Sequence, residues 1–161
     1  MTLSPVTRRR LDVQGFEYVD DTWLTEVAPW PRLAFGLCAT LAVVGTATAS
    51  VRILWVLVGI ATLAALSPVH PFDLIYNWGV RHLRDTRPLP RRGTPSRFAC
   101  GIGVVWILGT IWAFTAGQLV AGYVLGAALT AVALLVSTTD ICIPSMVYRF
   151  IFGAPDSRPT N

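Results

Sequence analysis

Four apolar stretches, 33–51, 53–66, 98–116 and 119–136, run through the chain, and every charged residue lies outside them. Uncharged runs of this kind predict transmembrane helices. The second is the short one: its 14 residues reach roughly 21 Å at 1.5 Å per residue, against a hydrocarbon core of about 30 Å. Either its helix starts earlier and Arg52 snorkels outward, or the segment thins the bilayer or re-enters. Ahead of the spans, Phe16, Val19, Trp23, Val27 and Trp30 recur every three or four residues, with Glu17, Asp20, Asp21 and Glu26 opposite. That spacing predicts an amphipathic helix lying in the interface, ended by Pro29 and Pro31. Residues 1–15 are polar and are expected to be mobile. The chain thus divides into a tail with an interfacial helix (1–32), a membrane domain (33–153) with a loop at 67–97, and a C-terminal tail (154–161).

The polar punctuation repeats. The first hairpin closes on Ser67, His70 and Pro71, followed by FDLIYNWG; the second on Ser137, Asp140, Cys142 and Pro144, followed by SMVYRFIFG. The expected fold is therefore an all-α membrane protein. Its four transmembrane helices form two parallel-repeat hairpins, each followed by a short interfacial amphipathic helix with proline near its first turn. Gly122 and Gly126 form a GxxxG step on the fourth span, a packing face within the chain or between chains.

Charge orients this picture. All thirteen basic residues are arginine. Arg8, Arg9, Arg10 and Arg32 precede the first span; Arg81, Arg84, Arg87, Arg91, Arg92 and Arg97 occupy the central loop; Arg149 and Arg158 lie in the tail. The opposite turns hold only Arg52. The positive-inside rule puts both termini and the loop in the cytoplasm, with the loop arginines fixing topology and clamping anionic lipid headgroups. Because the arginines crowd the membrane flanks, the net charge of +4 does not argue for a nucleic-acid partner. LDVQGFEYVDD after the arginine triplet is too polar for the apolar core of a signal peptide.

Candidate chemistry gathers at the same depth. Cys38 and Cys100 lie near the cytoplasmic starts of spans one and three, His70 and Asp73 after span two, and Asp140 and Cys142 after span four. One reading is a thiol site in which His70 holds Cys142 as a thiolate, helped by the helix N-terminus at Pro144. The plainer reading makes the cysteines small apolar packers and Asp73 and Asp140 caps of the proline-led helices, with His70 bonding a freed carbonyl. Tyr76 and Asn77 either bind a headgroup or anchor the interface. Cys142, His70 and Asp140 lack the local spacing of a zinc motif. No metal and no cofactor is expected, and the uncharged spans argue against an ion pathway.

HPFDLIYN (His70 to Asn77) and CIPSMVYR (Cys142 to Arg149), each closing an apolar hairpin, resemble a bacterial integral-membrane family catalogued as domain of unknown function 4395. The resemblance spans roughly Ala28 to Gly153. It implies four spans, the bacterial inner membrane, and a link to thioredoxin-like or rhodanese-like partners; it implies no activity. The expected function is a non-catalytic accessory or scaffold subunit of a membrane complex, or a homo-oligomer. The alternative is a cytoplasmic-face thiol protein in sulfur transfer or thiol redox using Cys142 with His70, and the weakest reading is a small-solute transporter.

Overall fold

A computed structural model describes residues 4–27, 29–84 and 86–153, and all regular elements among them are helices. In chain order these are α1 (Pro5–Val13), α2 (Asp21–Val27), α3 (Pro29–Ala47), α4 (Val51–Leu66), α5 (Pro71–Ile75), a π turn (Tyr76–Val80), α6 (Arg81–Arg84), α7 (Thr94–Thr115), α8 (Leu119–Thr139) and α9 (Ile143–Phe152). Three of them, α3, α7 and α8, are long and apolar enough to cross a bilayer. The 16-residue α4 spans only roughly 24 Å. It passes the same test only together with the segment after it, from which it is bent by 83°. Arg52 falls in the first turn of α4 and is exposed, so the helix starts before the arginine.

Helices α3 and α7 each pack on both α4 and α8, closing a ring. The apolar core fills the half of the ring toward Arg52, where Leu54, Leu57, Ile107, Ile111 and Phe114 meet. The glycine step serves contacts inside the chain. A Cβ on Gly126 would collide with the side chain of Thr46 on α3, and one on Gly122 would lie 2.6 Å from the Phe114 ring on α7. Trp106 Nε1 adds a bond between helices by donating to the Leu125 carbonyl at 3.1 Å.

The N-terminal part differs from expectation. Residues 5–13 form a helix capped by Ser4, and the expected helix from Phe16 to Trp30 is instead a loop, the short α2 and, from Pro29, the start of α3. Phe16, Val19 and Leu24 bury their side chains with Leu11 inside the protein instead of facing lipid. The cause lies in arginine side chains that bond backbone carbonyls, which leave no periodic trace. Arg8 donates to the carbonyls of Val19 (2.7 Å) and Glu17 (3.2 Å), and Arg149 of α9 donates to Val13 (3.1 Å) and Asp12 and pairs with Glu17. Pro29 and Pro31 open α3 in its first turn, where missing amides cost nothing.

Candidate functional site

Between α3, α4, α7 and α8, at their arginine-bearing end, small residues such as Ala42, Ala61, Gly103 and Ala133 leave a cavity of about 130 Å³. Its wall is almost wholly apolar, yet it takes in Cys38, Cys100, Cys142 and His70. All three cysteines are free thiols. Four stretches far apart in sequence therefore bring reactive atoms to one space.

His70 is held from two sides. As N-cap of α5, its Nδ1 accepts from the Phe72 amide at 3.3 Å, while its own backbone N–H donates to Asp73 Oδ2 at 3.3 Å, closing a capping box. An acceptor at Nδ1 leaves the neutral ring's proton on Nε2, and Nε2 lies 3.9 Å from Cys38 Sγ. Burial first, and the Arg92 charge second, push the ring's pKa down to about 4, with Asp73 opposing; the imidazole is neutral at physiological pH. The partner expected for this histidine was Cys142; the nitrogen instead points at Cys38, because the capping box fixes the ring's direction. Nor does its side chain bond a carbonyl freed at the end of α4.

Behind His70 lies a buried ion pair. Arg92 donates Nε to Asp73 Oδ2 (2.8 Å) and Nη2 to Asp73 Oδ1 (2.9 Å), with side chains only 2% and 4% exposed. The Arg92 amide donates to the Pro68 carbonyl at 2.8 Å, and its guanidinium sits 4.9 Å above the Phe35 ring. Arg92 is thus an internal strut, not a headgroup clamp, and removing one partner of this buried pair would be expensive. Arg97 is likewise turned inward, donating to the carbonyls of Ala65 (3.0 Å) and Leu66 (2.8 Å) at the end of α4. Arg87 lies exposed and contacts Glu26 (3.9 Å), Arg91 is exposed, and Arg81 is half-buried. The Arg84 side chain and Arg158 lie outside the described residues.

Cys142 stands at the corner between α8 and α9. It is the N-cap of α9 but makes no side-chain capping bond, and Pro144 stands in the first turn beside the cavity. Ser145 Oγ lies 3.1 Å from Cys142 Sγ and 3.1 Å from the Pro95 carbonyl. The single hydroxyl proton can serve only one of them: the carbonyl when the sulfur is a thiol, the sulfur when it is a thiolate. Burial pushes the Cys142 thiol pKa up, against the Ser145 hydrogen bond and the Arg92 charge. Cys142 also lines a second crevice of about 390 Å³ on the other side, where α1 contributes Val6, Arg9, Arg10 and Val13. Asp140 does not cap α9. It ends α8 in the left-handed region (φ 59°), and its carboxylate takes Arg32 Nε at 2.9 Å.

Tyr76 and Asn77 hold the loop rather than face a ligand. Tyr76 is buried with its hydroxyl 2.6 Å from Thr86 Oγ1 and its ring 4.7 Å from Trp30. Asn77 Oδ1 accepts the Leu89 amide at 2.8 Å, and Pro71 opens α5. Among the described residues, no group of three His, Cys, Asp or Glu side chains is placed to share a metal ion.

The family model described as "Domain of unknown function (DUF4395)" matches residues 28–152, from the start of α3 to the end of α9. No curated protein and no solved structure matches the chain.

Proposed function

The chain belongs to the DUF4395 family, a domain of unknown function, so its activity has to be argued from its own cavity, and we propose that it is a membrane-embedded thiol protein. One observation carries this reading: Cys142 lines both the cavity it shares with Cys38, Cys100 and His70 and the crevice under α1. A thiol so placed can meet a partner from the arginine-bearing side and pass its oxidation state inward. The step is thiol–disulfide exchange. Cys142 Sγ attacks one sulfur of a partner's disulfide, a mixed disulfide forms, and the leaving thiolate takes up the proton that Cys142 gave away. As the sulfur ionises, Ser145 turns its hydroxyl proton from the Pro95 carbonyl to Sγ. A thioredoxin-like or rhodanese-like protein is the partner class this chemistry suits.

The orientation that goes with it puts both termini and the crevice in the bacterial cytoplasm, supported by the arginines at that end. It also reads the two hairpins as tandem copies, supported by the equivalent N-cap places of His70 (α5) and Cys142 (α9). The membrane itself is the second partner. Phe150, Ile151 and Phe152 of α9 and Trp78 and Leu83 after α5 leave apolar surface exposed, suited to an interface with anionic lipid.

The test is titration of the purified protein with the aromatic disulfide DTNB. Cys142 should react, faster as pH rises, and Cys142→Ser should lose that one equivalent while any signal from the free thiols Cys38 and Cys100 stays. A Cys142 that stays unreacted up to pH 9 in folded protein ends this reading. The non-catalytic accessory subunit then takes its place, a reading favoured by the upward push on the Cys142 thiol.

A further inference from the structure

The cavity has the makings of a ligand site that needs no reactive thiol. Its volume of about 130 Å³ is close to that of the roughly 150 Å³ void known to hold a benzene ring in another protein. The lining contains no charged side chain, since Arg92 is turned to Asp73. An ionic headgroup would lose its water there without a counter-charge. His70, buried at 2% exposure, is the residue of the wall that carries an N–H donor in its side chain with no strong acceptor. The Nε2–H of His70 is fixed in direction by the Phe72 amide at Nδ1 and has only Cys38 sulfur, at 3.9 Å, as a weak partner. Trp106 lines the opposite wall with its own N–H already used on Leu125, so it offers a flat apolar face. Ile102, 39% exposed, stands at the rim of the cavity on the outer surface of α7, where a molecule dissolved in the bilayer would enter.

We propose that this cavity binds the ring of a neutral, lipophilic quinone-type compound, with a ring carbonyl oxygen accepting from His70 Nε2–H and the ring lying against Trp106. An acyl chain would leave the His70 donor without a partner, and an anionic or cationic ligand would be refused by the apolar wall. This site shares its cavity with the thiol reading but does not rest on any thiol reacting, so the two fail separately.

The test uses the purified full-length protein in detergent and duroquinone, whose four methyl groups block addition of thiols to the ring. A space of benzene size takes one edge of that ring, and the other edge projects past the open rim at Ile102. Duroquinone should quench tryptophan fluorescence saturably, and Trp106→Phe should remove that saturable component. Gly103→Leu fills the cavity from a position where a Cβ meets no atom within 4 Å. It should keep the fold, checked by elution and melting, and weaken binding about tenfold or more, the equivalent of one lost apolar side-chain contact. His70→Asn keeps an N-cap acceptor but has no Nε2–H. It should weaken duroquinone about fivefold, one hydrogen bond's worth. Binding of durene, the same ring without carbonyls and read by displacement of duroquinone, should stay within twofold. Quenching that never saturates overturns the proposal, and so does a Gly103→Leu protein that binds as the parent does. Equal losses for duroquinone and durene in His70→Asn overturn the carbonyl contact and with it the quinone assignment.

Discussion

The corner after α4 and the corner after α8 each lead into a short helix with proline in its first turn, yet they are held in opposite ways. At the first, His70 closes a capping box with Asp73, and Asp73 is clamped by Arg92 from the neighbouring loop, all of it buried. At the second, Cys142 makes no capping bond, and the chain is fastened from outside. Arg32 grips Asp140, Gln14 donates to the Asp140 carbonyl (2.8 Å), and Arg10 donates to the Thr139 carbonyl (2.8 Å). One corner is therefore a fixed wall of the cavity, and the other is a seam that α1 covers. On the proposed reading the rigid side orients a donor, and the fastened side covers a buried thiol, Cys142.

The sharpest way to break the comparison is to remove one half of the buried pair. Asp73→Leu leaves Arg92 charged and alone in the interior, which costs about 3–5 kcal/mol. The expected outcome is a large fall in melting temperature in detergent or loss of folded protein. If this variant melts like the parent, the first corner is not the rigid one. Next in size is pH. The folded-state pKa of His70, about 4, lies below its ordinary 6.5. Between those values the unfolded chain binds more protons, so stability is complete above about 6.5 and drains away as pH falls toward 4, by up to about 3 kcal/mol at 1.36 kcal/mol per unit. Melting scans across that window should show the loss, and His70→Asn should flatten it.

These effects were hard to foresee, for a definite reason. The helices themselves were legible: uncharged runs, prolines and the turn at Gly117-Gln118 locate α3, α4, α7 and α8 within a few residues. The cysteines' shared depth was legible too, because helix ends fix depth. Which atoms face each other was not. Arg92 is one of six loop arginines, and nothing local separates a buried strut from a headgroup clamp. The one available cue was the HPFD tetrad, whose cap–proline–x–acid spacing is a capping-box shape; an acid so used is drawn inward and calls for a cation. The direction of His70 Nε2, toward Cys38 and not Cys142, follows from that box and could not be read from spacing alone. The docking of α1 rests on arginine-to-carbonyl bonds, which have no sequence period.

A smaller test addresses the seam directly. Deleting residues 1–14 removes the Gln14 and Arg10 bonds and one wall of the crevice, and the bonds of His70, Asp73 and Arg92 run to none of residues 4–14. Modification of Cys142 by DTNB should speed up about tenfold if the covered form opens at a cost of roughly 1.4 kcal/mol. The quinone affinity, read at the other corner, should not move. Speeding of both readouts together would show that the two corners open as one unit.

The last test separates two reasons for having an aspartate at 140. Its carboxylate pairs with Arg32, whose side chain is 41% exposed, so the pair should contribute no more than about 1 kcal/mol. Its backbone is left-handed (φ 59°), a conformation asparagine adopts readily and alanine does not, at a penalty of about 1–2 kcal/mol. Asp140→Asn therefore removes only the charge, while Asp140→Ala removes the charge and strains the turn. The expected order of melting temperatures is parent, then asparagine slightly lower, then alanine lower again, and raising salt should shrink only the first gap. If asparagine and alanine melt together, the left-handed turn is not what the seam depends on. The Arg32 contact, with the Gln14 and Arg10 bonds to the backbone, would then hold the end of α8 over Cys142.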